Sequence, residues 1–355
     1  MIAGGDSSTE IIEEILVVGW GAVGILFGYI LHRSGKCRLT VVARSNYEAA
    51  KNGQIIISSH LYGRVTDFKP ERVCRTVADA ADRQYAFVVV TTKALPDVLP
   101  TPTLLGPLLS HSYTHPPPTY VILQNGLGVE TDLYNKLTEM KQPTSPGIIT
   151  TAVYCVANLV DNIMEHPANV PKLELGLFRP SGEAIDDGDA SLKLASFKGM
   201  VEAGGGDGVV TDDIQAVKFR KNIWNAAFAP LSCFTRVPPA FYTATPALWE
   251  RVVPLLRETA EEVVAVGRAL GYSEQHLPSN VVDGFLDWHL ATFKNVGSKH
   301  QPSTVLDIEA NKPFEVEAIV GEVVRAGRRL AIPILRMETI YTMLSVMQAR
   351  NLKSR

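Results

Sequence analysis

The stretch "ILVVGWGAVGILFGYIL", residues 15–31, contains seventeen residues and no charged side chain. A transmembrane helix needs about 20 apolar residues, and this stretch is shorter and has charged residues on both flanks. Gly24 and Gly28 make a GxxxG pair, which can join membrane helices, but this interpretation leaves Gly19 and Gly21 unexplained. A division into the strand "ILVV", the turn "GWGAVG" and a following helix accounts for all four glycines.

The turn "GWGAVG" matches G-x-G-x-x-G, which brings backbone N–H groups and a helix N-terminus to a dinucleotide pyrophosphate. The same pattern also occurs as a tight turn that binds nothing. Its position after a first strand and at the start of a helix favours the cofactor interpretation. The predicted cofactor-binding residues of the turn are Gly19, Trp20, Gly21, Ala22, Val23 and Gly24.

The composition is typical of a soluble globular protein with a sizeable core. The chain has 355 residues, 46% of them hydrophobic and 20% charged, and a formal net charge of −3. This balance predicts no general affinity for nucleic acid or for an anionic membrane. The four cysteines lie far apart, which argues against a metal site or a disulfide framework and favours a reducing compartment, the cytoplasm. Residues 1–14 lack the pattern of a secretory signal.

Apolar runs alternate with helical stretches in the first half of the chain. Several runs are continuous, as in strands covered by helices on both faces, so the order predicts a Rossmann-type, doubly wound parallel sheet in an α/β protein. The strand candidates are 15–18, 38–43, 54–58, 86–92, 119–124 and 147–154. The segment 101–118 is rich in proline, and its second half is predicted to be an exposed insertion.

The second half of the chain is predicted to be helical. Residues 155–180 are still strand-like, residues 181–189 suit a linker, and the chain turns helical after about 190. The helix candidates are 189–202, 213–235, 245–271, 275–293, 312–330 and 335–350. The expected architecture is an NADP-binding Rossmann domain, 1–185, followed by an all-helical substrate and catalytic domain, 186–355.

Arg44 follows the second strand candidate, where NAD sites commonly place a carboxylate on the adenosine ribose. No carboxylate occurs at this turn. A guanidinium fork can bind the 2′-phosphate of NADPH, which favours that cofactor. The alternative is a solvated arginine at a strand end.

Two further turns follow strand candidates, "TTKALPDV" at 91–98 and "QNGLG" at 124–128. Strand ends of a doubly wound sheet face the cofactor crevice, so Lys93 and Asn125 are expected to point toward nicotinamide and substrate. Each also has an ordinary explanation, as a loop lysine and as an Asn-Gly turn.

The helix "DDIQAVKFRKNIWNAAFAPL", residues 212–231, carries the strongest signal. Helical spacing puts Lys221 and Asn225 on the apolar face and Lys218 and Asn222 on a wetter face. A buried lysine tends to have a lowered pKa, which makes Lys221 a candidate proton donor. The alternative is a lysine that extends into solvent from the edge of the apolar face.

The segment "QPSTVLDIEANKPFEVEAIVG", residues 301–321, carries five oxygen-bearing side chains that could bind a ligand, at 303, 307, 309, 315 and 317. Residues 311–313 favour a helix start that places Glu315 in the first turn, where a carboxylate gains from the helix dipole. Taken alone, Glu315 is a helix-start charge rather than a ligand contact.

These five stretches together resemble the ketopantoate reductase (2-dehydropantoate 2-reductase) family over about residues 14–350. The resemblance rests on "GWGAVG", "TTK", "QNGLG", the helical K-x-x-x-N and S-x-x-x-D-x-x-x-x-x-x-x-E before "VEAIVG", in this order. It implies a Rossmann domain joined to a helical domain like the C-terminal domain of 6-phosphogluconate dehydrogenase. The implied reaction is the NADPH-dependent reduction of ketopantoate to pantoate, a step of pantothenate biosynthesis.

The resemblance also implies residue roles. Lys221 corresponds to the general acid, Arg44 to the 2′-phosphate arginine and Lys93 to a residue on the cofactor side. The substrate residues it implies are Asn125, Asn225, Ser303 and Glu315, and Asn125 also lies in the nicotinamide region.

The sequence departs from the family at two amides. Ala229 occupies a position where the family often has asparagine, and a further asparagine has no clear match in "CFTRVPPAFY". The sequence therefore predicts a reductase of a small 2-keto acid, with ketopantoate as the first candidate. The alternatives are a paralogue that reduces another carbonyl compound and an NADP(H)-binding sensor without activity. A homodimer is possible, and neither nucleic acid nor membrane is expected as a partner.

Overall fold

The computed structural model describes residues 12–140, 147–167, 170–180, 188–294 and 301–353. The opening stretch forms strand β1 (Glu13–Val18), a tight turn and helix α1 (Ala22–Arg33), so the predicted strand–turn–helix is confirmed. None of the helices in the described residues is both long and apolar enough to cross a membrane.

The remaining elements follow in chain order. The strands are β2 (Cys37–Val42), β3 (Ile56–Ser59), β4 (Gly63–Val65), β5 (Arg72–Cys74), β6 (Phe87–Val90), β7 (Thr119–Ile122), β8 (Ile148–Tyr154), β9 (Asn158–Val160), β10 (Ile163–His166), β11 (Lys172–Leu177) and β12 (Asp207–Val210). The helices are α2 (Tyr47–Lys51), α3 (Val77–Ala80), α4 (Thr101–Leu104), α5 (Thr131–Glu139), α6 (Gly188–Ala203), α7 (Ile214–Ile223), α8 (Ala229–Thr235), α9 (Pro239–Tyr242), α10 (Pro246–Ala269), α11 (Val281–Phe293), α12 (Ser303–Glu309), α13 (Glu322–Arg329) and α14 (Leu335–Lys353). Gly106–Leu108 is a 3-10 turn, and Trp224–Phe228 and Glu317–Gly321 are π-helices.

Contacts group the described residues into two compact units. The sheet unit contains residues up to 92, 102–124 and 133–214, and the helical unit contains residues 93–101, 125–132 and 215 onward. The turns that carry Lys93 and Asn125 therefore pack with the helices. The domain assignment of 1–185 and 186–355 stays a prediction. When residues are grouped by their contacts, residues 188–214 belong to the sheet unit.

The sheet unit holds the predicted Rossmann-type sheet. Eight strands lie in the order β12-β11-β8-β7-β6-β1-β2-β5, and the six strands from β8 to β5 are parallel. β11 runs antiparallel to β8. The central strands are buried on both faces, which is why their sequences are continuous apolar runs. The strand expected at 54–58 instead joins a second sheet, in the order β4-β3-β10-β9.

The helical unit has its own core, to which helices α7 to α14 and the π-helices Trp224–Phe228 and Glu317–Gly321 contribute. Most helix candidates are confirmed, with two differences at element starts. The helix expected from 275 begins at Val281. The one expected from 312 begins at Val316, which leads directly into the π-helix Glu317–Gly321. The preceding α12, which the sequence did not predict, ends at Glu309, and Asn311 just beyond it has a φ of 51°.

Strand β12 lies between the helix candidates 189–202 and 213–235, in residues to which the sequence assigned no element. This strand pairs in parallel with β11 at the edge of the sheet. Its four residues are too few to show a period, so the pattern around them dominated the prediction. The second half of the 101–118 segment is mostly exposed, as expected.

Candidate functional site

The glycine turn has the backbone geometry that a dinucleotide site requires. Gly19 has a φ of 108°, and a Cβ there would lie 2.8 Å from the backbone nitrogen of Thr92. A Cβ on Gly24 would lie 2.0 Å from the carbonyl oxygen of Gly19. Gly21, the residue before α1, has nothing within 4 Å of such a Cβ and no side-chain cap. The N-terminus of α1 is therefore accessible at Gly21, and the turn fits a pyrophosphate.

Trp20 contributes its backbone, not its ring, to this turn. The side chain is buried, and its ring atoms lie where a Cβ on Gly28 would be, at 2.6 Å. Its carbonyl oxygen accepts a hydrogen bond from Asn46 Nδ2 at 2.6 Å. Ala22 and Val23 form the first turn of α1 and are partly buried.

Arg44 lies where the sequence predicted it, two residues beyond the end of β2. Gly19 N donates to Val42 O at 3.2 Å, which ties the end of β2 to the glycine turn. The Arg44 side chain is exposed. Its place beside the turn fits a contact with the adenosine end of a dinucleotide.

Lys221 and Asn125 meet in the helical unit. Lys221 Nζ donates to Asn125 Oδ1 at 2.7 Å, and Lys221 is half-buried on α7. The Asn125 turn is fixed from its other side, because Leu127 N donates to Ala318 O at 2.8 Å. Gly126 has a φ of 92°, and a Cβ there would lie 2.6 Å from Ala318 Cβ, so the packing requires glycine at this position.

Lys93, Asp307 and Glu315 form an ionic cluster in the same unit. Lys93 Nζ lies 2.8 Å from Asp307 Oδ2 and 3.6 Å from Glu315 Oε2. Glu315 is 4% exposed, and its Oε1 accepts from Ala94 N at 3.0 Å. Burial lowers the pKa of Lys93, but the charges of Glu315 and Asp307 outweigh it, and the pKa is raised overall.

This cluster changes two interpretations. Glu315 does lie at a helix start, because its carbonyl oxygen accepts from Ile319 N at 3.0 Å, but its carboxylate is also buried and has Lys93 and Ala94 N as partners. Asp307 was part of the sequence motif without an assigned role, and it is the partner of Lys93. The motif spacing alone gave no sign of this pair. Glu317 pairs instead with Arg325.

Asn225 and Ser303 have different surroundings. Asn225 and Glu315 both line a small cavity whose wall is otherwise largely apolar. The remaining lining residues are Ala229, Pro230, Cys233, Thr304, Phe314, Val316, Ile319, Val320 and Leu344. Ser303 is the exposed first residue of α12, one turn before Asp307, and its side chain makes no hydrogen bond within the part of the chain that the structure describes.

The predicted faces of α7 are wrong. Lys218 and Asn222, expected on the wetter face, are buried, whereas Lys221 and Asn225 are half-buried. Lys218 Nζ forms an ion pair with Glu130, which is fully buried, and Asn222 Nδ2 donates to Ile319 O at 2.8 Å. The partners come from elsewhere in the chain, so the spacing within the helix could not show them.

Comparison with known proteins agrees with this arrangement. Residues 15–170 match the profile of the family "Ketopantoate reductase PanE/ApbA", and residues 213–348 match "Ketopantoate reductase PanE/ApbA C terminal". A 2-dehydropantoate 2-reductase of Pyrobaculum aerophilum is 26% identical over 319 residues, 89% of this chain and 91% of the relative.

Solved structures give the same result. The crystal structure of 2-dehydropantoate 2-reductase from Methylococcus capsulatus aligns with a TM-score of 0.73 and 25% identity, covering 95% of this chain and 97% of that one. A D-mandelate dehydrogenase with NADH and anilino(oxo)acetate aligns with a TM-score of 0.75 over 95% and 99% of the two chains, and at 17% identity it shares the fold. Both parts of this chain match the same family, and the chain therefore belongs to the ketopantoate reductase family of oxidoreductases.

Proposed function

We propose that the protein reduces a 2-keto acid with NADPH, and that ketopantoate, which yields pantoate, is the first candidate substrate. The observation that carries the proposal is the hydrogen bond from Lys221 Nζ to Asn125 Oδ1. This hydrogen bond orients the ammonium group of Lys221 within the site. Such a group can give its proton to an oxygen that gains negative charge.

The chain's own residues would divide the reaction as follows. The glycine turn and Arg44 hold NADPH, which when bound supplies the hydride to the keto carbon. Lys221 Nζ stabilises the developing alkoxide and donates the proton that completes the hydroxyl group. Lys93 and Asn125 are proposed on the nicotinamide side, and the substrate is held by Asn125, Asn225, Ser303 and Glu315.

Glu315 supports ketopantoate over simpler keto acids. Lys93 Nζ lies 3.6 Å from this buried carboxylate and holds it in place beside the cavity. An ionised carboxylate accepts a hydrogen bond from the hydroxyl group that ketopantoate has and 2-ketoisovalerate lacks. Ala229 and the apolar cavity wall favour the second candidate, a reductase of a keto acid with an apolar side group.

Turnover of a substrate panel tests the proposal. NADPH oxidation is measured with ketopantoate, 2-ketoisovalerate and benzoylformate. Preference for ketopantoate supports the first candidate, and preference for one of the other two supports the second. Absence of turnover with all three, together with tight NADPH binding, supports the sensor.

The four cysteines are free thiols, which supports the proposed cytoplasmic location. The homodimer stays a prediction.

The cofactor choice has its own test. NADPH should be preferred to NADH in kcat/KM, and Arg44→Ala should reduce that preference by about 10- to 100-fold, the value of a charge-assisted contact. Arg38→Ala, on β2 and paired with Glu14, is the control and should leave the preference unchanged. Equal use of both cofactors by the unaltered protein would contradict the assignment of Arg44.

A further inference from the structure

Arg236 has a buried nitrogen without a hydrogen-bond acceptor. The residue ends α8 in the left-handed conformation, with a φ of 60°, and its backbone N donates to Ser232 O at 2.9 Å. Its Nη1 is buried and has no partner among the residues that the structure describes. A buried guanidinium nitrogen that lacks an acceptor is costly, so the position is suited to an anion supplied from outside the chain.

The position of Arg236 connects it with the cavity beside Glu315. Pro230 and Cys233 of α8 line that cavity, and Arg236 follows Cys233 by three residues, about one helical turn. Burial raises the pKa of the Cys233 thiol to about 12, and the charge of Arg236 acts in the opposite direction. Arg236 is not among the lining residues and lies one turn beyond Cys233, so its guanidinium would have to reach the cavity from that end of α8.

The lysines near the proposed site already have assigned partners or roles. Lys93 lies between Asp307 and Glu315, and Lys218 pairs with Glu130. Lys221 is assigned to the keto oxygen. A 2-keto acid also brings a carboxylate, which must have its own partner in a partly desolvated site.

We propose that Arg236 binds the carboxylate of the 2-keto acid through its guanidinium fork, in a chain that has Ala229 in place of a family amide. This inference rests on the proposed function for the identity of the substrate. Two parallel N–H···O bonds match the planar carboxylate and fix the orientation of the keto group. The site then discriminates between an acid and its uncharged ester.

Kinetics of matched substrates test this assignment. Arg236→Met should raise KM for ketopantoate and 2-ketoisovalerate by about 10- to 100-fold, because a charge-assisted contact is lost, with a smaller change in kcat. The methyl ester of 2-ketoisovalerate should lose less than about threefold in kcat/KM. Arg236→Lys should keep part of the acid preference, and Arg329→Met, an exposed arginine of α13, is the control. An equal loss for acid and ester would overturn the proposal.

Stability distinguishes binding from a structural role. Because Nη1 has no acceptor in the described residues, Arg236→Met removes no internal hydrogen bond of that nitrogen and should be at least as stable as the unaltered protein in urea unfolding. A large loss of stability would assign Arg236 to the fold instead.

Binding separates this proposal from the proposed function. Pantoate and pantolactone are titrated calorimetrically into the NADP⁺-bound protein. Loss of pantoate binding in Arg236→Met, with no turnover in the unaltered protein, would sink the reductase and leave the carboxylate site standing. Pantoate affinity that is equal in the two proteins would overturn the carboxylate site alone. No pantoate binding by the unaltered protein would overturn both.

Discussion

Lys221 Nζ donates to a neutral amide, whereas Lys93 and Lys218 face carboxylates. The amide oxygen orients the ammonium group of Lys221, and the same Asn125 side chain is proposed on the nicotinamide side of the site. This contact with Asn125, rather than burial, singles out Lys221, because Lys218 is the more buried of the two lysines on α7.

Replacement of Lys221 should therefore affect chemistry more than cofactor binding. Lys221→Met should lower kcat by roughly 10²- to 10⁴-fold, the usual contribution of general acid catalysis, and leave the Kd for NADPH nearly unchanged. Stopped-flow single turnovers and NADPH fluorescence titration measure the two quantities. Lys353→Met, an exposed lysine at the end of α14, should change neither. A loss in NADPH affinity as large as the loss in kcat would refute the assignment.

Glu315 should determine how the substrate hydroxyl group is recognised. A site that hydrogen-bonds such a group can discriminate by up to about 10⁴- to 10⁵-fold, far more than an apolar pocket. Glu315→Ala should lose activity mainly on ketopantoate and compress the kcat/KM ratio of ketopantoate to 2-ketoisovalerate. Glu317→Ala, which breaks the contacts with Arg325 and Tyr341, is the matched control and should keep that ratio. An unchanged ratio in Glu315→Ala would show that the carboxylate does not contact the hydroxyl group.

At the scale of elements, α7 and the 125–130 turn are held together by two lysines. Lys221 bonds Asn125, and Lys218, three residues earlier, pairs with Glu130 at the other end of the turn. After Ile223 the helix continues as the π-helix Trp224–Phe228, a feature frequent at functional sites. The regular spacing of 3.6 residues therefore does not hold beyond this point.

The Lys218–Glu130 pair should matter for stability through its burial. Lys218→Met leaves the buried Glu130 without this cation and should cost about 3–5 kcal/mol, whereas Lys218→Met with Glu130→Leu should restore most of that loss. Urea unfolding measures both. Lys198→Ala, which breaks the exposed pair with Glu202, should cost less than about 1 kcal/mol. If the single and double variants were equally unstable, the charge left behind would not be the cause.

The stability of the molecule should depend on pH through His289. This histidine is fully buried among the rings of Trp224, Tyr242, Trp249 and Phe293, and its Nδ1 accepts from Trp224 Nε1 at 3.2 Å. Burial lowers its pKa to about 4 from an ordinary value of 6.5. The lowered pKa means that between these pH values the unfolded chain binds the proton more readily than the folded protein, so stability falls as pH falls.

This contribution is fully present above pH 6.5 and is lost by about pH 4, and a shift of this size corresponds to about 3 kcal/mol. Urea unfolding between pH 4 and 7 should show the slope in the unaltered protein. In His289→Phe the slope should be smaller over this range, and the exposed His60→Gln variant should keep it. Equal slopes in the unaltered protein and in His289→Phe would refute this origin.

The sequence by itself determined the features that depend on local chain properties. Gly19 and Gly24 at one turn, continuous apolar strands and long amphipathic segments specify the sheet and most helices, because backbone sterics and burial on both faces act on neighbouring residues. The same local signals placed the glycine turn after β1 and Arg44 after β2. Short elements such as β12 and α12 were not predicted, since segments of four to seven residues show no reliable period.

Only the tertiary structure decided which charges meet. The environment of Lys218 depends on Glu130, 88 residues away, and that of Glu315 on Lys93 and Ala94, more than 220 residues away. A helical pattern ranks faces by apolar content and has no information about such distant partners, so it placed Lys218 on the wetter face of the helix. Electrostatic pairing at short range depends on atomic distances, and those distances exist only once the chain has folded.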